Sequence, residues 1–129
     1  MKKEEILPGV ENFLDTLRKK GIKLAVASAS KNTRIILERL KLNDFFDTVV
    51  DGNMVSKAKP DPEIFIKAAM ILDIAPEEAV VFEDAVAGIA AAKKAGMKVV
   101  GVGNKEILKD ADIVIPDFQN INIALFNNF

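Results

Sequence analysis

The sequence predicts an α/β fold with a doubly wound parallel sheet, and three observations support that class. Short Val-rich runs, such as Ala79–Phe82 and Lys98–Val102, alternate with segments of helical periodicity. The connections between these segments are only a few residues long, which is typical of parallel strands joined by crossover helices. A length of 129 residues suits one domain with its own core. We therefore expect residues 1–129 to form a single core domain.

The first half of the chain is expected to hold two helices, each followed by a strand. A helix that opens near Pro8 should end at Gly21 and lead into the strand Ile22–Ser28. The next helix, Asn32–Leu40, should lead into the strand Phe45–Asp51. The side chains expected to face inward are Val10, Phe13, Leu14 and Leu17 in the first helix, and Ile35, Ile36, Leu37 and Leu40 in the second.

The second half continues the alternation after a loop, Gly52–Pro62. Asp61 and Pro62 have the pattern of an N-cap and first residue for a helix that ends at Leu72. The segments expected to follow are a single turn at Pro76-Glu77-Glu78, the strand Ala79–Phe82, a helix from near Ala85 to Gly96, the strand Lys98–Val102, a short helical piece near Lys105–Lys109, the strand Ala111–Ile115 and an amphipathic tail, Phe118–Phe129.

The acid pair Glu83-Asp84 stands where a buried strand passes into a helix. In an open parallel sheet, that edge is where ligands bind. Two interpretations are open. Asp84 could cap the following helix while Glu83 ends the strand in solvent. Alternatively, the two carboxylates could hold Mg²⁺, which prefers a few hard oxygen ligands and keeps several waters.

Two further polar residues are expected at the same edge of the sheet. Ser28 ends a strand, and Lys59 precedes a helix. Each alone suits a structural role, as a hydroxyl that satisfies the backbone or as a solvated loop lysine, and Lys57 competes for the role of cation. Together with Glu83-Asp84 they suit phosphoryl transfer, which depends on charge neutralisation and on donors to the phosphoryl oxygens.

The loop Ser28-Ala29-Ser30-Lys31-Asn32 is a second candidate site for an anion, because it opens a helix and offers free N–H groups. An ordinary cap formed by Ser30 is the alternative. The segment Gly101-Val102-Gly103 lacks the third glycine of a dinucleotide site, so we exclude that function.

Composition excludes several classes of function. The chain has 18 Lys and Arg residues against 19 Asp and Glu, so no basic field attracts nucleic acid. It has no cysteine and no histidine, which removes disulfides, thiol nucleophiles and the commonest general base. We find no apolar run long enough to span a membrane, and we expect a soluble cytoplasmic protein without a membrane or nucleic-acid partner.

The chain resembles the haloacid dehalogenase superfamily, and within it the β-phosphoglucomutase-like phosphatases and mutases. The segments similar to the family's second, third and fourth motifs and their surroundings are Pro8-Gly9-Val10, Leu24–Ser28, Lys59–Phe65, Phe82–Ile89 and Ala91–Gly96. They occur in the family's order and extend over essentially the whole chain.

The resemblance implies a role for each candidate residue. Ser28 and the Ala29 N–H would bind the transferring phosphoryl group, and Lys59 would take the place of the family's lysine. Glu83 and Asp84 would be Mg²⁺ ligands. The residues that would hold the distal phosphate of a sugar phosphate are Ser30, Lys31 and Asn32.

The family's first motif, Asp-x-Asp-Gly, which supplies the nucleophile and the general acid/base, does not occur in residues 1–129, and neither does the helical cap. In the family, the strand carrying that motif lies between the strands that end at Ser28 and Glu83. Unpaired buried backbone groups cost about 1–3 kcal/mol each. We therefore expect a separate N-terminal polypeptide to fill that place, the two strands to pair directly, or the sheet to be completed by exchange between chains.

The resemblance implies the C-terminal part of a Mg²⁺-dependent enzyme acting on sugar phosphates, inactive alone because it lacks the nucleophile. The expected reaction is the interconversion of β-glucose 1-phosphate and 6-phosphate through an aspartyl-phosphate. The alternatives are a small-molecule phosphatase and a non-catalytic domain that binds phosphate and Mg²⁺.

Overall fold

The computed structural model describes residues 10–28, 33–39 and 43–118. The helices are α1 (Val10–Lys19), α2 (Thr33–Arg39), α3 (Glu63–Leu72) and α4 (Val86–Lys94). The strands are β1 (Ala25–Ala27), β2 (Thr48–Val50), β3 (Val80–Glu83), β4 (Lys98–Val102) and β5 (Ile113–Ile115). Short 3₁₀ turns lie at Asn43–Phe45 and Pro76–Glu78.

All strand pairs among the described residues are parallel, as the sequence predicts, but they form two sheets. In one sheet β1 pairs with β2, so that Val26 lies opposite Val49. In the other the order is β3-β4-β5, with Val81 opposite Val99. Direct pairing of the strands that end at Ser28 and Glu83 is not found in this part of the chain, so that expectation is wrong for the described residues. Each of β1 and β3 keeps one edge outside these ladders.

Alternate residues of the strands face opposite helical layers, which confirms the doubly wound arrangement. On one face, α3 contacts β1 and β2 while α4 contacts β3 and β4, and the two helices also touch each other. The core on this face extends over both sheets. Its buried members include Val50, Ile64, Phe65, Ala68, Ala69, Val81, Ile89, Ala91, Ala92 and Val99, with Ala25 and Ala27 of β1 packed against them.

The opposite face has two smaller apolar clusters. Leu37 of α2 packs with Val49 over the first sheet. Over the second sheet, the ring of Phe13 in α1 meets those of Phe82 and Phe118, with centroids 5.1 and 5.5 Å away. Ring pairs at these separations add stabilisation beyond the area that they bury.

The inward orientation expected for Ile35 and Ile36 is wrong, because their exposed fractions are 51% and 36%. Three successive helical residues spread over about 200° of the helix circumference, so they cannot all face one sheet. In α2, Leu37 is the residue of the three that reaches the core. Leu40 and residues 119–129 of the expected tail lie outside the described residues.

Several other boundaries differ from the sequence prediction. Two of the expected strands are shorter, since β2 covers Thr48–Val50 rather than Phe45–Asp51 and β5 covers Ile113–Ile115 rather than Ala111–Ile115. Residues Lys105–Lys109 form turns rather than a regular helix. The Asn104 side chain accepts the N–H groups of Glu106 and Ile107 at 2.8 and 3.1 Å, as an N-cap does, and the Leu108 N–H donates to the Asn104 carbonyl at 3.0 Å, so one helical turn starts here but does not continue. The strand expected at Ile22–Ser28 is shorter, since the ladder of β1 is limited by its three-residue partner. Among the described residues, no helix is both long and apolar enough to cross a membrane.

Asp47 joins the end of α1 to the start of the first sheet. Its carboxylate accepts the Leu24 N–H at 2.7 Å and the Arg18 guanidinium at 3.0 Å, and its own N–H donates to the Leu24 carbonyl at 2.7 Å. The hydrogen bond from Leu24, followed by the bond and charge of Arg18, holds the pKa of Asp47 below its ordinary value.

Replacing Asp47 by Asn should lower the free energy of unfolding at pH 7 by about 1 kcal/mol, allowing for partial exposure. A carboxyl with a lowered folded pKa stabilises the fold above the unfolded value of about 3.9, and that contribution is lost as the pH falls through the folded pKa. Urea unfolding should therefore show a constant difference between the two proteins from pH 7 to about 5, and a shrinking one below about pH 4.

The matched control is Asp110→Asn, at an exposed carboxylate for which the structure gives no hydrogen bond to another described residue. It should leave the urea midpoint unchanged over the same range. An Asp47→Asn difference that grows on acidification would contradict the assignment.

Candidate active site

Lys59 lies between the two sheets and contacts both. Its ammonium donates to the Glu83 carboxylate at 2.9 Å and to the Ala27 carbonyl at 3.4 Å. Ala27 ends β1 and Glu83 ends β3, so one cation joins the carboxyl ends of strands from the two sheets. The ammonium also stands 5.0 Å from the ring centroid of Phe65, within the range of a cation–π interaction.

This geometry separates Lys59 from Lys57. Lys59 is only 19% exposed, while Lys57 is an exposed residue of the same loop. The interpretation of Lys59 as a solvated loop lysine is therefore wrong. The role that the resemblance assigns to it stays a prediction.

Glu83 is held against the first turn of α4. Its side chain is 11% exposed, and its carboxylate lies where the helix begins. Unpaired N–H groups at a helix N-terminus favour a nearby negative charge. A negative side chain is thus compensated from two directions, by Lys59 and by the helix.

Asp84 does not cap α4, contrary to the structural interpretation of the acid pair. The N-cap residue is Ala85, without a side-chain hydrogen bond, and α4 starts at Val86. The Asp84 side chain is exposed and makes no hydrogen bond to another described residue. Its carboxylate is thus available at the end of β3.

Ser28 follows β1 at the same edge. Its N–H donates to the Val50 carbonyl at 2.9 Å, which extends the pairing of β1 with β2 by one residue. The residue is half-buried. The remaining residues of the expected phosphate loop, Ala29, Ser30, Lys31 and Asn32, lie outside the described residues.

Two side chains of α3 hold the loop that carries Lys59. The Glu63 carboxylate accepts the N–H groups of Ser56 and Lys57, the latter at 3.3 Å, and the Ser56 hydroxyl at 3.0 Å. One turn later, the Lys67 ammonium donates to the Met54 carbonyl at 2.5 Å. The bond from the Ser56 N–H holds the pKa of Glu63 below its ordinary value.

The start of α3 supports the same loop. The helix begins at Glu63 rather than at Pro62, with Pro62 as N-cap residue, but Asp61 still accepts the Glu63 N–H at 2.9 Å. The N-cap position predicted for Asp61 is therefore wrong by one residue, although its side chain still satisfies an N–H group of the first turn. The loop is thus fixed on both sides of Lys59.

The donor set at the end of β3 fits Mg²⁺. Glu83 and Asp84 offer hard carboxylate oxygens, and one or two carboxylates are enough for an ion that keeps several of its waters. Within the described ranges, no group of three or more metal-ligating side chains lies together. Glu83 and Asp84 therefore suit an ion that draws its other ligands from water, from substrate or from another segment.

Sequence reasoning missed three contributors to this site: Phe65, Glu63 and Gly88. Glu63 and Phe65 follow Lys59 by four and six residues and lie in the first turn of the helix that this loop opens, so their nearness in sequence was an available signal. Gly88 had no such signal, because its importance depends on which side chain lies against it.

The sequence of this chain is similar to those of known proteins. A family model described as haloacid dehalogenase-like hydrolase matches residues 1–102. The β-phosphoglucomutase of Bacillus subtilis is 41% identical over 124 residues, which cover 96% of this chain and 55% of that protein. A phosphorylated carbohydrates phosphatase of Thermotoga maritima is 42% identical over 93 residues, or 70% of this chain and 43% of that protein.

The fold also matches solved structures. The crystal structure of β-phosphoglucomutase from Clostridium difficile superposes with a TM-score of 0.93 at 37% identity, covering 99% of this chain and 57% of that one. The matched part of the chain thus spans about half the length of these relatives. The family model covers most of the chain, and the chain therefore belongs to the haloacid dehalogenase superfamily, among its β-phosphoglucomutase-like phosphatases and mutases.

Proposed function

We propose that this chain forms the metal-holding and phosphate-binding part of an enzyme that transfers a phosphoryl group of a sugar phosphate. The observation that carries the proposal is the ion pair of Lys59 with Glu83, placed where strands of both sheets end. Phosphoryl transfer needs cations and donors around the phosphoryl oxygens more than it needs covalent chemistry from the protein.

Lys59 balances charge in this proposal. An ammonium has three donors, and two of them have the Glu83 carboxylate and the Ala27 carbonyl as partners. The third has no hydrogen-bond partner among the described residues, and we assign it to a phosphoryl oxygen. Ser28 supplies a hydroxyl at the same edge, and the Ala29 N–H is the second donor to the phosphoryl group.

Glu83 and Asp84 would hold Mg²⁺. When bound, the ion neutralises the charge of the phosphoryl oxygens and of the leaving group. Glu83 is suited to this because its carboxylate is fixed by Lys59, while Asp84 is exposed to an incoming ion and its waters.

The nucleophilic aspartate must come from a segment outside residues 1–129, because the Asp-x-Asp-Gly motif does not occur within them. Two observations support an N-terminal polypeptide segment as its source. The edges of β1 and β3 lie outside the ladders of the described residues. Relatives of known fold are nearly twice as long as this chain.

The substrate proposed is β-glucose 1-phosphate, which the enzyme would convert to the 6-phosphate. The B. subtilis β-phosphoglucomutase and the loop Ser30-Lys31-Asn32 favour this reaction. A phosphatase for phosphorylated carbohydrates is the second candidate, which the T. maritima relative supports.

Replacing Lys59 by Met in the preparation that turns over sugar phosphate should lower kcat/KM by about 10²-fold or more, because a preorganised cation is lost at the phosphoryl group. Mg²⁺-dependent release or transfer of phosphate measures this. Lys57→Met is the matched control, since it removes an exposed cation two residues away. Equal effects of the two variants would contradict the role of Lys59.

Replacing Lys31 by Met should raise KM for β-glucose 1-phosphate by about tenfold or more if the residue holds a distal phosphate, because a charge-assisted hydrogen bond is lost. The single phosphate of β-glucose 1-phosphate would be the distal one while a sugar hydroxyl accepts the phosphoryl group from the aspartyl-phosphate. Hydrolysis of p-nitrophenyl phosphate, whose single phosphate is itself the reacting group, should change little. Unchanged turnover of sugar phosphates would refute the proposed role of Lys31 and favour the phosphatase.

The intact mass of an active preparation under denaturing conditions should reveal more polypeptide than residues 1–129, which account for 14.1 kDa. The additional segment is expected to carry Asp-x-Asp-Gly. A single 14.1 kDa species that turns over sugar phosphate with Mg²⁺ would overturn the proposal that the nucleophile comes from another segment.

A further inference from the structure

Gly88 lies in the first turn of α4, directly beneath the Glu83 side chain. A Cβ atom at this position would stand 2.0 Å from Cδ of Glu83, 2.1 Å from Cγ and 2.3 Å from Oε2. Real Cβ atoms essentially never approach other heavy atoms so closely. A side chain at position 88 and the Glu83 carboxylate in its present place therefore exclude each other.

The helix itself gives no reason for a glycine here. Gly88 is not among the residues of positive φ, which are Gly21, Asp73, Gly96 and Gly103 in the described part of the chain. In a helix interior, alanine is the better residue, because it loses less backbone entropy on folding. A glycine is thus needed at position 88 because the Glu83 side chain occupies the space of a Cβ atom, and not because the backbone conformation demands it.

The carboxylate that occupies this space is the one paired with Lys59. Its exposed fraction of 11% and its 2.9 Å contact to the ammonium leave it in a confined position. A Cβ at position 88 would overlap the outer atoms of Glu83, which belong to a flexible side chain. The cheapest response is therefore rotation of the Glu83 side chain, away from its present place beside Lys59.

We propose that Gly88 is a positioning residue: its missing side chain lets the Glu83 carboxylate lie against α4 and beside Lys59, in the place from which it would hold Mg²⁺. The position of the Glu83 carboxylate follows from the contact with Gly88 alone. Its role as a Mg²⁺ ligand rests on the proposed function. The residue touches neither substrate nor metal and acts through Glu83.

A double-mutant cycle of Gly88→Ala and Glu83→Ala tests the contact by urea unfolding. With Glu83 replaced by Ala, none of the three overlapping atoms is present, so Gly88→Ala should raise the urea midpoint as a better helix former does. With Glu83 present, the same substitution should lower the midpoint or leave it unchanged. An equal rise in both backgrounds would overturn the proposal.

Mg²⁺ titration by calorimetry tests the function of the contact. Gly88→Ala should raise the Mg²⁺ dissociation constant about tenfold or more, and the double variant should bind no more weakly than Glu83→Ala. Ala87→Ser is the control, because it adds one heavy atom to the exposed neighbour in the same turn and should leave the dissociation constant unchanged. Wild-type affinity in Gly88→Ala, or a further loss in the double variant, would contradict the positioning role.

The two measurements separate failure of this proposal from failure of the proposed function. If the unmodified protein binds no Mg²⁺, the metal site is wrong, and the unfolding cycle still decides whether Gly88 positions Glu83. If Gly88→Ala does not fold, the double variant must fold for the proposal to hold, since it removes the overlap.

Discussion

The contact on which this arrangement depends is the ion pair between Lys59 and Glu83. It is mostly withdrawn from solvent, and removing one member of such a pair leaves the other as an uncompensated charge. Because Lys59 also reaches the carbonyl of Ala27, the pair relates the end of β1 to the end of β3. Helices α3 and α4 also touch each other, and the apolar core extends over both sheets. The ion pair and the apolar core therefore both hold the first sheet against the second.

The supports of this pair are distributed over two helices. On the side of Lys59, Phe65 faces the ammonium, while Glu63 and Lys67 fix the preceding loop. On the side of Glu83, the first turn of α4 offers space at Gly88 and positive polarity. Functional side chains are held most precisely when their surroundings fix them. Here, residues of α3 fix Lys59 and its loop, and the first turn of α4 fixes Glu83.

Much of the fold could be predicted from the sequence. Parallel strands that are covered by helices on both faces are apolar, so Val-rich runs alternate with helical segments along the chain. The bounds of β4 agree with the prediction, and Glu83 and Ser28 were singled out by the rule that ligands bind where strands end. Residue spacing could not show which of Lys57 and Lys59 lies beside Glu83, since both occupy one loop and the partner is distant in sequence, and only the family resemblance favoured Lys59. The orientation of Ile35 and the role of Gly88 depend on what lies against them, which no spacing encodes.

The division into two sheets has a consequence for motion. Among the described residues, the backbone ladders end within each sheet, and the sheets are related through side chains and helix packing. Different parts of a fold open locally with different free energies, and amide exchange reports these openings. The three-residue ladder of β1 with β2 is the smaller unit and should exchange before β3, β4 and β5. Ser28 continues the smaller ladder and Glu83 ends a strand of the larger one, so the two residues of this edge differ in the extent of the backbone ladder that holds them.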